Sequence, residues 1–233
     1  MKQGMEILFE DESLLVVYKP AGIATQTNRL GQQDMVSLLR NYRATKKEAA
    51  YIGVIHRLDQ PVEGVMVFAK NQETAAALSK QVQQRTLGKH YYALVHGILE
   101  KEKNTLKDEL IFDKKNNCSY ILGAKEERLN ITSQELAAKK LKVQKASLTY
   151  QVLSVTHEPE DQSLVDIHLE TGRHHQIRLQ FANQGHPLVD DRKYGTEPGK
   201  GMVKLCSYCI EFTHPTTGEE MHFEIKPRGF SAV

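Results

Sequence analysis

The chain has 233 residues, of which 40% are hydrophobic and 26% are charged, and its formal net charge is +2. This composition excludes wholesale disorder, and the length fits one sheet-rich domain with a sizeable core. No apolar run approaches the roughly 18 residues of a membrane span, and the acidic start "MKQGMEILFEDE" does not resemble a signal peptide, so we expect a cytoplasmic protein with no membrane segment.

The first part of the chain predicts strands alternating with helices. The run "SLLVVYKPAGI" is typical of a strand that ends at Pro20 and Gly22, and "MVSLLRNY" is typical of a short helix. "GVMVFAK" predicts the next strand, and Asn71 then offers an N-cap to the helix "QETAAALSKQVQQR". "KHYYALVHG" predicts a return to strand.

The second part begins with weak periodicity. Residues 100–145 are charge-rich, and we interpret them as a loop-rich charged insertion within a single domain that spans 1–233. Strands are then predicted for "ASLTYQVLSV", "SLVDIHLE", "KLCSYCIEF" and "EEMHFEIKP", with a helix in "TGRHHQIRLQFANQG" that begins near Arg173. Hairpin-like strands with a few helices predict an α+β fold with a mixed, mainly antiparallel central sheet flanked by helices and loops.

The stretch "VIHRLDQPVEGVMVFAK" places a cation and an acid between two apolar runs. If the backbone is extended there, Arg57 and Asp59 share one face. A carboxylate among apolar residues stays ionised only when a cation or hydrogen-bond donors lie close by. The pair therefore forms either a salt bridge at a strand end or two parts of one working site.

A second candidate region is "TGRHHQIRLQFANQGHPLVDDRKYG", a local basic patch that indicates a phosphate-bearing ligand. On a helix beginning near Arg173, His174 and Arg178 would lie at i and i+4, and Arg178 would be a rigid donor to a carboxylate or phosphate. His174 and His175 would point about 100 degrees apart on such a helix, which makes them poor joint metal ligands.

Other motifs are weaker. Cys206 and Cys209 form a C-x-x-C in an apolar run without a second pair, so a structural role is favoured and no metal site is predicted. Tyr91 and Tyr92 alternate faces on a strand, so one of them can project into a site. No dinucleotide, P-loop or G-x-S-x-G motif is present, which argues against those cofactor and hydrolase chemistries.

Four segments, taken in order, resemble the RluA family of pseudouridine synthases. "LVVYKPAGI" is similar to the family's K-P-x-G, "HRLDQPVEG" to H-R-L-D-x-x-[ST]-S-G, "GKHYYALVHG" to K-x-Y-x-A-x-V-x-G, and "TGRHHQIRLQFANQGHPLVDDRKYG" to T-G-R-x-H-Q-I-R followed by G-D-x-x-Y-G. The resemblance implies the pseudouridine synthase fold and an isomerase that acts on RNA without metal or cofactor. Since only about a dozen residues precede the first predicted strand, we expect a stand-alone catalytic domain without the S4-type RNA-binding domain of many relatives.

The resemblance assigns roles residue by residue. Asp59 is implied to be the catalytic aspartate, Tyr91 the tyrosine that stacks on the target base, and Arg178 the partner of Asp59. Leu205 matches an apolar wall against the base, and Arg57 matches a residue that fills the space left by the flipped nucleotide. Further contacts to the substrate are expected from Arg173, His174, Arg192 and Lys193.

These residue types suit the chemistry. A carboxylate beside C1′ can stabilise an oxocarbenium ion, attack C1′ or remove the 2′ proton, and the sequence does not choose among these routes. A tyrosine ring can stack on uracil with its hydroxyl near C5. Since C1′ is inaccessible in a stacked helix, the target nucleotide must flip out while basic side chains hold the flanking phosphates.

Three departures from the family pattern accompany the match. Val62 and Glu63 stand where the family usually has two hydroxyl residues, while Gly64 keeps the family's glycine. Asp190 stands where a glycine is usual, and Cys206-Ser207 replaces a common His-Ala pair. We expect a ribosomal or transfer RNA stem-loop as partner and a monomer without an obligate protein partner. Two alternatives stay open: a non-catalytic RNA-binding protein or chaperone, and a metal-dependent hydrolase that uses His174 and His175.

Overall fold

The computed structural model describes residues 5–27, 29, 31–196 and 199–231. They form two compact units, of which the first contains the chain up to Tyr91 and again from Cys206, while the second runs from Tyr92 to Leu205. The organisation as a single catalytic domain stays a prediction. No helix in the described part of the chain combines the length and the apolar character needed to cross a bilayer.

The described residues contain twelve strands and four α-helices. The strands are β1 (Glu6–Glu10), β2 (Leu14–Lys19), β3 (Gly53–Val54), β4 (Glu63–Ala69), β5 (Gly88–His96), β6 (Lys103–Asp113), β7 (Cys118–Leu122), β8 (Asn130–Ile131), β9 (Val143–Thr156), β10 (Gln162–Leu169), β11 (Leu205–Thr213) and β12 (Glu220–Glu224). The helices are α1 (Met35–Thr45), α2 (Gln72–Gln84), α3 (Ser133–Ala138) and α4 (Gln176–Asn183).

The first unit is built on a sheet in the order β1-β2-β4-β11, with β3 added to β4 and β12 added to β11. β2 and β4 are antiparallel and buried along their whole length, which explains why both read as continuous apolar runs. β4 and β11 pair in parallel. The core consists of buried Leu14, Val16, Val65, Val67, Leu78, Leu87, Ile210 and Phe212.

Local capping sets the helix starts of this unit, at Asn71 as the sequence predicts and also at Asp34. Asn71 accepts a hydrogen bond from the backbone N–H of Thr74, and α2 begins at the next residue. Asp34 and Ser37 form a reciprocal capping box at the start of α1. The two helices predicted in the first part of the chain are therefore confirmed.

The second unit contains a sheet in the order β10-β9-β6-β7-β8. The predicted pair "ASLTYQVLSV" and "SLVDIHLE" is confirmed as the antiparallel β9–β10 hairpin. β6 pairs antiparallel with β9, and β7 pairs in parallel with β8. The core cluster here contains Leu110, Ile121, Leu129, Ala146, Leu179, Ala182 and Tyr194.

The prediction of a loop-rich insertion at 100–145 is wrong. This stretch contains β6, β7, β8 and α3. In β6, buried Leu106 and Leu110 alternate with charged residues on the outer face, so the high charge density masks the strand period. The α+β class with a mixed, mainly antiparallel arrangement is confirmed.

Candidate active site

Asp59 lies in a loop, residues 55–62, between β3 and β4, which we call the Asp59 loop. The interpretation of Arg57 and Asp59 as neighbours on one strand face is therefore wrong, because the backbone there is not extended strand. Arg57 is exposed and Asp59 is half-buried. The backbone N–H of Val62 donates to the Asp59 carbonyl at 3.0 Å, which turns the chain back into β4.

The Asp59 loop is anchored to the K-P-A-G segment after β2. The Thr25 hydroxyl donates to the Leu58 carbonyl at 2.9 Å and accepts the Leu58 N–H at 3.1 Å. The Gln60 carbonyl accepts the Gly22 N–H at 2.8 Å and the Lys19 ammonium at 3.3 Å. These contacts hold the backbones of Leu58 and Gln60, the residues on both sides of Asp59.

Lys19 is fully buried next to this loop. Its Nζ also donates to the carbonyls of Pro20 at 3.1 Å and Ile23 at 2.6 Å. Burial lowers the pKa of Lys19 to about 7, while the negative charges of Asp59 and Glu63 act in the opposite direction. Lys19 therefore lies within electrostatic reach of both acids.

His56 holds the other end of the loop. Its Nε2 accepts the backbone N–H of Val67 on β4 at 3.3 Å. Burial lowers the pKa of His56 to about 3, and the positive charge of Lys89 adds to this shift. The imidazole is therefore neutral near pH 7 and serves as a hydrogen-bond acceptor.

Tyr91, on β5, belongs to the same unit as Asp59 and is only 5% exposed. Burial raises the pKa of Tyr91, and the negative charge of Asp59 raises it further. The phenol therefore stays protonated, and it lies close enough to Asp59 to feel its charge. The structure brings together these two residues, which the resemblance assigns to catalysis.

Glu63, which replaces a hydroxyl residue of the family pattern, is buried and fully engaged. It accepts hydrogen bonds from the Tyr18 hydroxyl at 2.6 Å, the Gly229 N–H at 2.9 Å and the Arg228 N–H at 3.1 Å. The Arg228 guanidinium lies over the Tyr18 ring, 3.9 Å from its centre. Glu63 thus ties the segment around Arg228 to the end of the Asp59 loop.

Gly64 follows at a place that only glycine fits. Its φ is +147°, and a Cβ there would lie 2.5 Å from the Ser207 carbonyl oxygen on β11. The buried Cys206-Ser207 pair that departs from the family pattern lies beside Glu63 and Gly64 in the parallel ladder. These residues determine the backbone packing immediately after the Asp59 loop.

In the second unit, helix α4 begins at Gln176 rather than near Arg173. His175 adopts a left-handed conformation with φ 55°, and the Gln176 side chain accepts the Arg173 N–H at 3.0 Å and the Thr171 hydroxyl at 2.8 Å. These contacts turn the chain before the helix. The predicted i and i+4 relation of His174 to the arginine on α4 is therefore wrong.

Arg178 forms a buried, two-pronged ion pair with Asp191. Its Nε and Nη2 each donate to one carboxylate oxygen at 2.7 Å. Asp191 also accepts the N–H groups of Lys193 at 2.9 Å and Tyr194 at 3.1 Å. Burial opposes ionisation of Asp191, but these donors hold its pKa below the usual value.

Asp191 is a residue that the sequence reasoning left without a role, although the G-D-x-x-Y-G motif contained its position. The predicted pairing of Arg178 with Asp59 stays a prediction, since the two residues belong to different units. Asp190, which stands where the family usually has glycine, has φ +61°. Its side chain accepts the N–H of Lys200 at 2.8 Å, and the left-handed conformation is one that glycine adopts more readily than other residues.

The adjacent residues His174 and His175 form hydrogen bonds with different side chains. His174 Nδ1 lies 2.8 Å from the Ser119 hydroxyl, while His175 Nδ1 lies 2.7 Å from the Tyr194 hydroxyl. Burial lowers the pKa of His175 to about 2, and the charge of Arg178 contributes. His175 is therefore neutral and belongs to the buried framework around Tyr194.

The remaining predicted substrate-binding residues differ in exposure. Arg192 and Lys193 are exposed directly after Asp191, and each also donates to a backbone carbonyl. Arg173 is half-buried and donates through Nε to a carbonyl at 3.1 Å. Leu205 is buried at the first position of β11.

Comparison with known protein families decides the identity of the chain. The family described as RNA pseudouridylate synthase matches residues 13–183, which include Asp59, Tyr91 and Arg178. The chain belongs to this family. The uncharacterized RNA pseudouridine synthase YhcT of Bacillus subtilis is 32% identical over 219 residues, covering 92% of this chain. Ribosomal large subunit pseudouridine synthase C of Pasteurella multocida is 32% identical over 224 residues, covering 93% of this chain.

The chain spans 66% and 62% of the lengths of these two curated relatives. Among solved structures, Human RNA Pseudouridylate Synthase Domain Containing 4 has a TM-score of 0.73 at 21% identity, covering 95% of this chain and 88% of its own. Human RNA Pseudouridylate Synthase Domain Containing 1 has a TM-score of 0.74 at 20% identity, covering 97% and 86%. These likenesses confirm the pseudouridine synthase fold.

Proposed function

We propose that this protein isomerises specific uridines of structured RNA to pseudouridine, with a ribosomal or transfer RNA stem-loop as substrate and without a cofactor. Membership of the RNA pseudouridylate synthase family supports the reaction class. The observation that carries the residue assignment is the half-buried Asp59 carboxylate, whose charge reaches the protonated Tyr91 within one unit.

Asp59 supplies the group that acts at the sugar. The reaction breaks the bond between C1′ and N1 of uridine, turns the uracil and joins C1′ to C5. A carboxylate beside C1′ can stabilise the positive charge that develops there, form a covalent bond to C1′, or remove the 2′ proton. The anchored backbones of the neighbouring Leu58 and Gln60 support a loop conformation that is formed before RNA binds.

Tyr91 suits the base-handling role. Its raised pKa keeps the phenol neutral, so the ring can stack on uracil without placing a second anion beside Asp59. Once C5 is bonded to C1′, the hydrogen on C5 must leave as a proton. A hydroxyl close to C5 can pass that proton on.

Exposed cations provide contacts for the RNA backbone. Arg57 is exposed in the Asp59 loop, and Arg192 and Lys193 are exposed in the second unit. Because a uridine must leave its helical stack to expose C1′, the flanking phosphates need fixed positive partners during flipping. The exposed position of Arg57 in the Asp59 loop supports a contact with the RNA next to the flipped nucleotide.

Tritium release from RNA labelled at C5 of uridine tests the proposal, because the hydrogen on C5 is lost only when C1′ bonds there. The substrates are ribosomal and transfer RNA from cells that lack the protein. We expect release by the wild-type chain, unchanged by a chelator, and none by Asp59→Asn, while Asp161→Asn on the exposed hairpin turn behaves as wild type. RNA binding without any release would favour the non-catalytic alternative, and chelator-sensitive RNA cleavage without tritium release would favour a metal-dependent hydrolase.

A further inference from the structure

One face of the β11–β12 hairpin carries chemistry that the RNA reaction does not use. Cys209 and Glu211 stand at i and i+2 on β11, so their side chains share a face. In the antiparallel pairing, Glu211 is opposite His222 and Cys209 is opposite Glu224. The ladder therefore collects a thiol, an imidazole and two carboxylates on neighbouring positions, all within the first unit.

The donor atoms of three of these residues converge. His222 Nδ1 lies 3.9 Å from Cys209 Sγ and 3.0 Å from Glu211 Oε1, and one donor atom of each residue lies within 4.8 Å of the others. A tetrahedral Zn²⁺ with bonds of about 2.3 Å to sulfur and about 2.1 Å to nitrogen or oxygen holds its ligand atoms about 3.3 to 3.7 Å apart. The spacing fits a zinc ion after shifts of a few tenths of an ångström to about one ångström.

Two further side chains, Glu224 and His90, lie next to the proposed ligands His222 and Glu211, where hydrogen-bond partners of metal ligands are usually found. His222 Nε2, the ring nitrogen away from the cluster, lies 3.7 Å from Glu224 Oε2. Glu211 Oε2, the oxygen on the other side of that carboxylate, lies 3.5 Å from His90 Nε2. A ligating histidine usually donates its second N–H to a carboxylate, and a ligating carboxylate is usually hydrogen-bonded in turn.

The ligand types indicate which metal would bind. Thiolate and imidazole together favour zinc over calcium or magnesium, which prefer oxygen. Cys209 is buried, whereas Glu211 and His222 are exposed, so the fourth coordination position opens to solvent.

We propose that Cys209 Sγ, His222 Nδ1 and a Glu211 oxygen form a Zn²⁺ site with water as the fourth ligand, while Glu224 and His90 orient the ligands from outside. The site differs from the C-x-x-C motif that the sequence suggests. Cys206 and Cys209 are three positions apart on a strand, so they point to opposite faces. The two ligands besides Cys209 are instead Glu211 on β11 and His222 on β12.

Bound zinc would link β11 to β12 and stabilise the hairpin. Because the metal binds the paired strands and not the separated ones, it raises the free energy of unfolding by mass action. This consequence does not depend on RNA or on the proposed isomerase activity.

The experiment is titration of the metal-free, full-length chain with zinc chloride by calorimetry. We expect one Zn²⁺ per chain, at least tenfold weaker binding in His222→Ala, and about tenfold weaker binding in Glu224→Gln. Cys118→Ser is the matched control, because this half-buried cysteine lies in the other unit and should not change the affinity.

Cobalt provides a second measurement that does not require a variant of the buried cysteine to fold. With Co²⁺, the wild-type chain should show a thiolate-to-metal absorption band that Cys118→Ser retains and His222→Ala weakens. No saturable zinc uptake by the wild type, a cobalt spectrum without a thiolate band, or equal loss of binding in Cys118→Ser would each overturn the proposal.

Discussion

Two loops of this protein, one in each unit, each contain an aspartate of the family motifs, and they are stabilised in different ways. In the Asp59 loop, neighbouring residues anchor the backbone through Thr25, Gly22 and Lys19. In the turn at residues 188–194, Asp191 is itself the anchor, because both of its carboxylate oxygens are taken by a guanidinium. The turn at residues 188–194 is therefore held through a carboxylate, whereas the backbone beside Asp59 is held at Leu58 and Gln60.

The largest expected effect comes from breaking the ion pair of the second unit. Arg178→Met leaves Asp191 buried without its cation, and we expect the free energy of unfolding to fall by about 3–5 kcal/mol in urea titrations. Adding Asp191→Leu to Arg178→Met should restore much of the loss, since no buried charge is then left unpaired. A loss below about 1 kcal/mol in the single variant would contradict the anchoring role.

The ion pair between Arg178 and Asp191 also makes the free energy of unfolding depend on pH in the acid range. The pKa of Asp191 is lowered in the folded state, so its stabilising contribution is complete above the ordinary aspartate pKa near 4. It is lost as the pH falls through the lowered folded value. In Arg178→Met the buried carboxylate lacks its cation and takes up a proton more readily, so the stability difference from wild type in urea titrations should be largest near pH 7 and shrink as the pH falls.

In the first unit, Glu63→Ser restores the hydroxyl of the family pattern but removes the acceptor for Tyr18, Arg228 and Gly229. We expect a loss of about 1–3 kcal/mol, because buried donors are left unsatisfied. The control is Glu6→Gln, which breaks only the exposed ion pair to Arg228 and should cost less than about 1 kcal/mol. Equal losses in the two variants would show that Glu63 does not anchor the segment.

His56, in the Asp59 loop, makes the free energy of unfolding depend on pH over a higher range than Asp191 does. Its pKa is about 3 when folded and 6.5 in the ordinary state, so below pH 6.5 only the unfolded chain gains the proton. Stability should fall toward acid by at most about 1.4 kcal/mol per pH unit between those values. His56→Gln, which retains an acceptor for Val67, should flatten the profile between pH 7 and 5, and an unchanged profile would refute the neutral-imidazole anchor.

The smallest effect on stability is expected for Arg57→Ala, within about 0.5 kcal/mol, because the side chain is exposed. RNA binding should nevertheless weaken, and the slope of log affinity against log salt should decrease by about 1 if a phosphate contact is lost. Lys80→Ala, an exposed cation on α2, is the control and should leave both quantities unchanged.

Sequence reasoning succeeded where local signals decide the structure. The apolar runs of β2 and β4, the Asn71 cap of α2 and the β9–β10 hairpin were all readable from a few adjacent residues. It failed for β6, where alternating charges masked the strand period.

Sequence reasoning also failed for features that depend on contacts between residues far apart in the chain. The start of α4 depends on the Gln176 side chain, which also donates to the Ser147 carbonyl at 3.1 Å. The partner of Arg178 lies 13 residues away in a turn whose path no periodicity describes. Glu63 showed its role only when the segment at Arg228 was seen to fold against it.

The most direct test compares Asp59→Asn with Asp191→Asn in pseudouridine formation and in unfolding by urea. The account predicts that a folded Asp59→Asn chain forms no pseudouridine, whereas Asp191→Asn loses stability first and activity only as a consequence. Measurable pseudouridine formation by a folded Asp59→Asn chain would contradict the central claim that this carboxylate performs the chemistry.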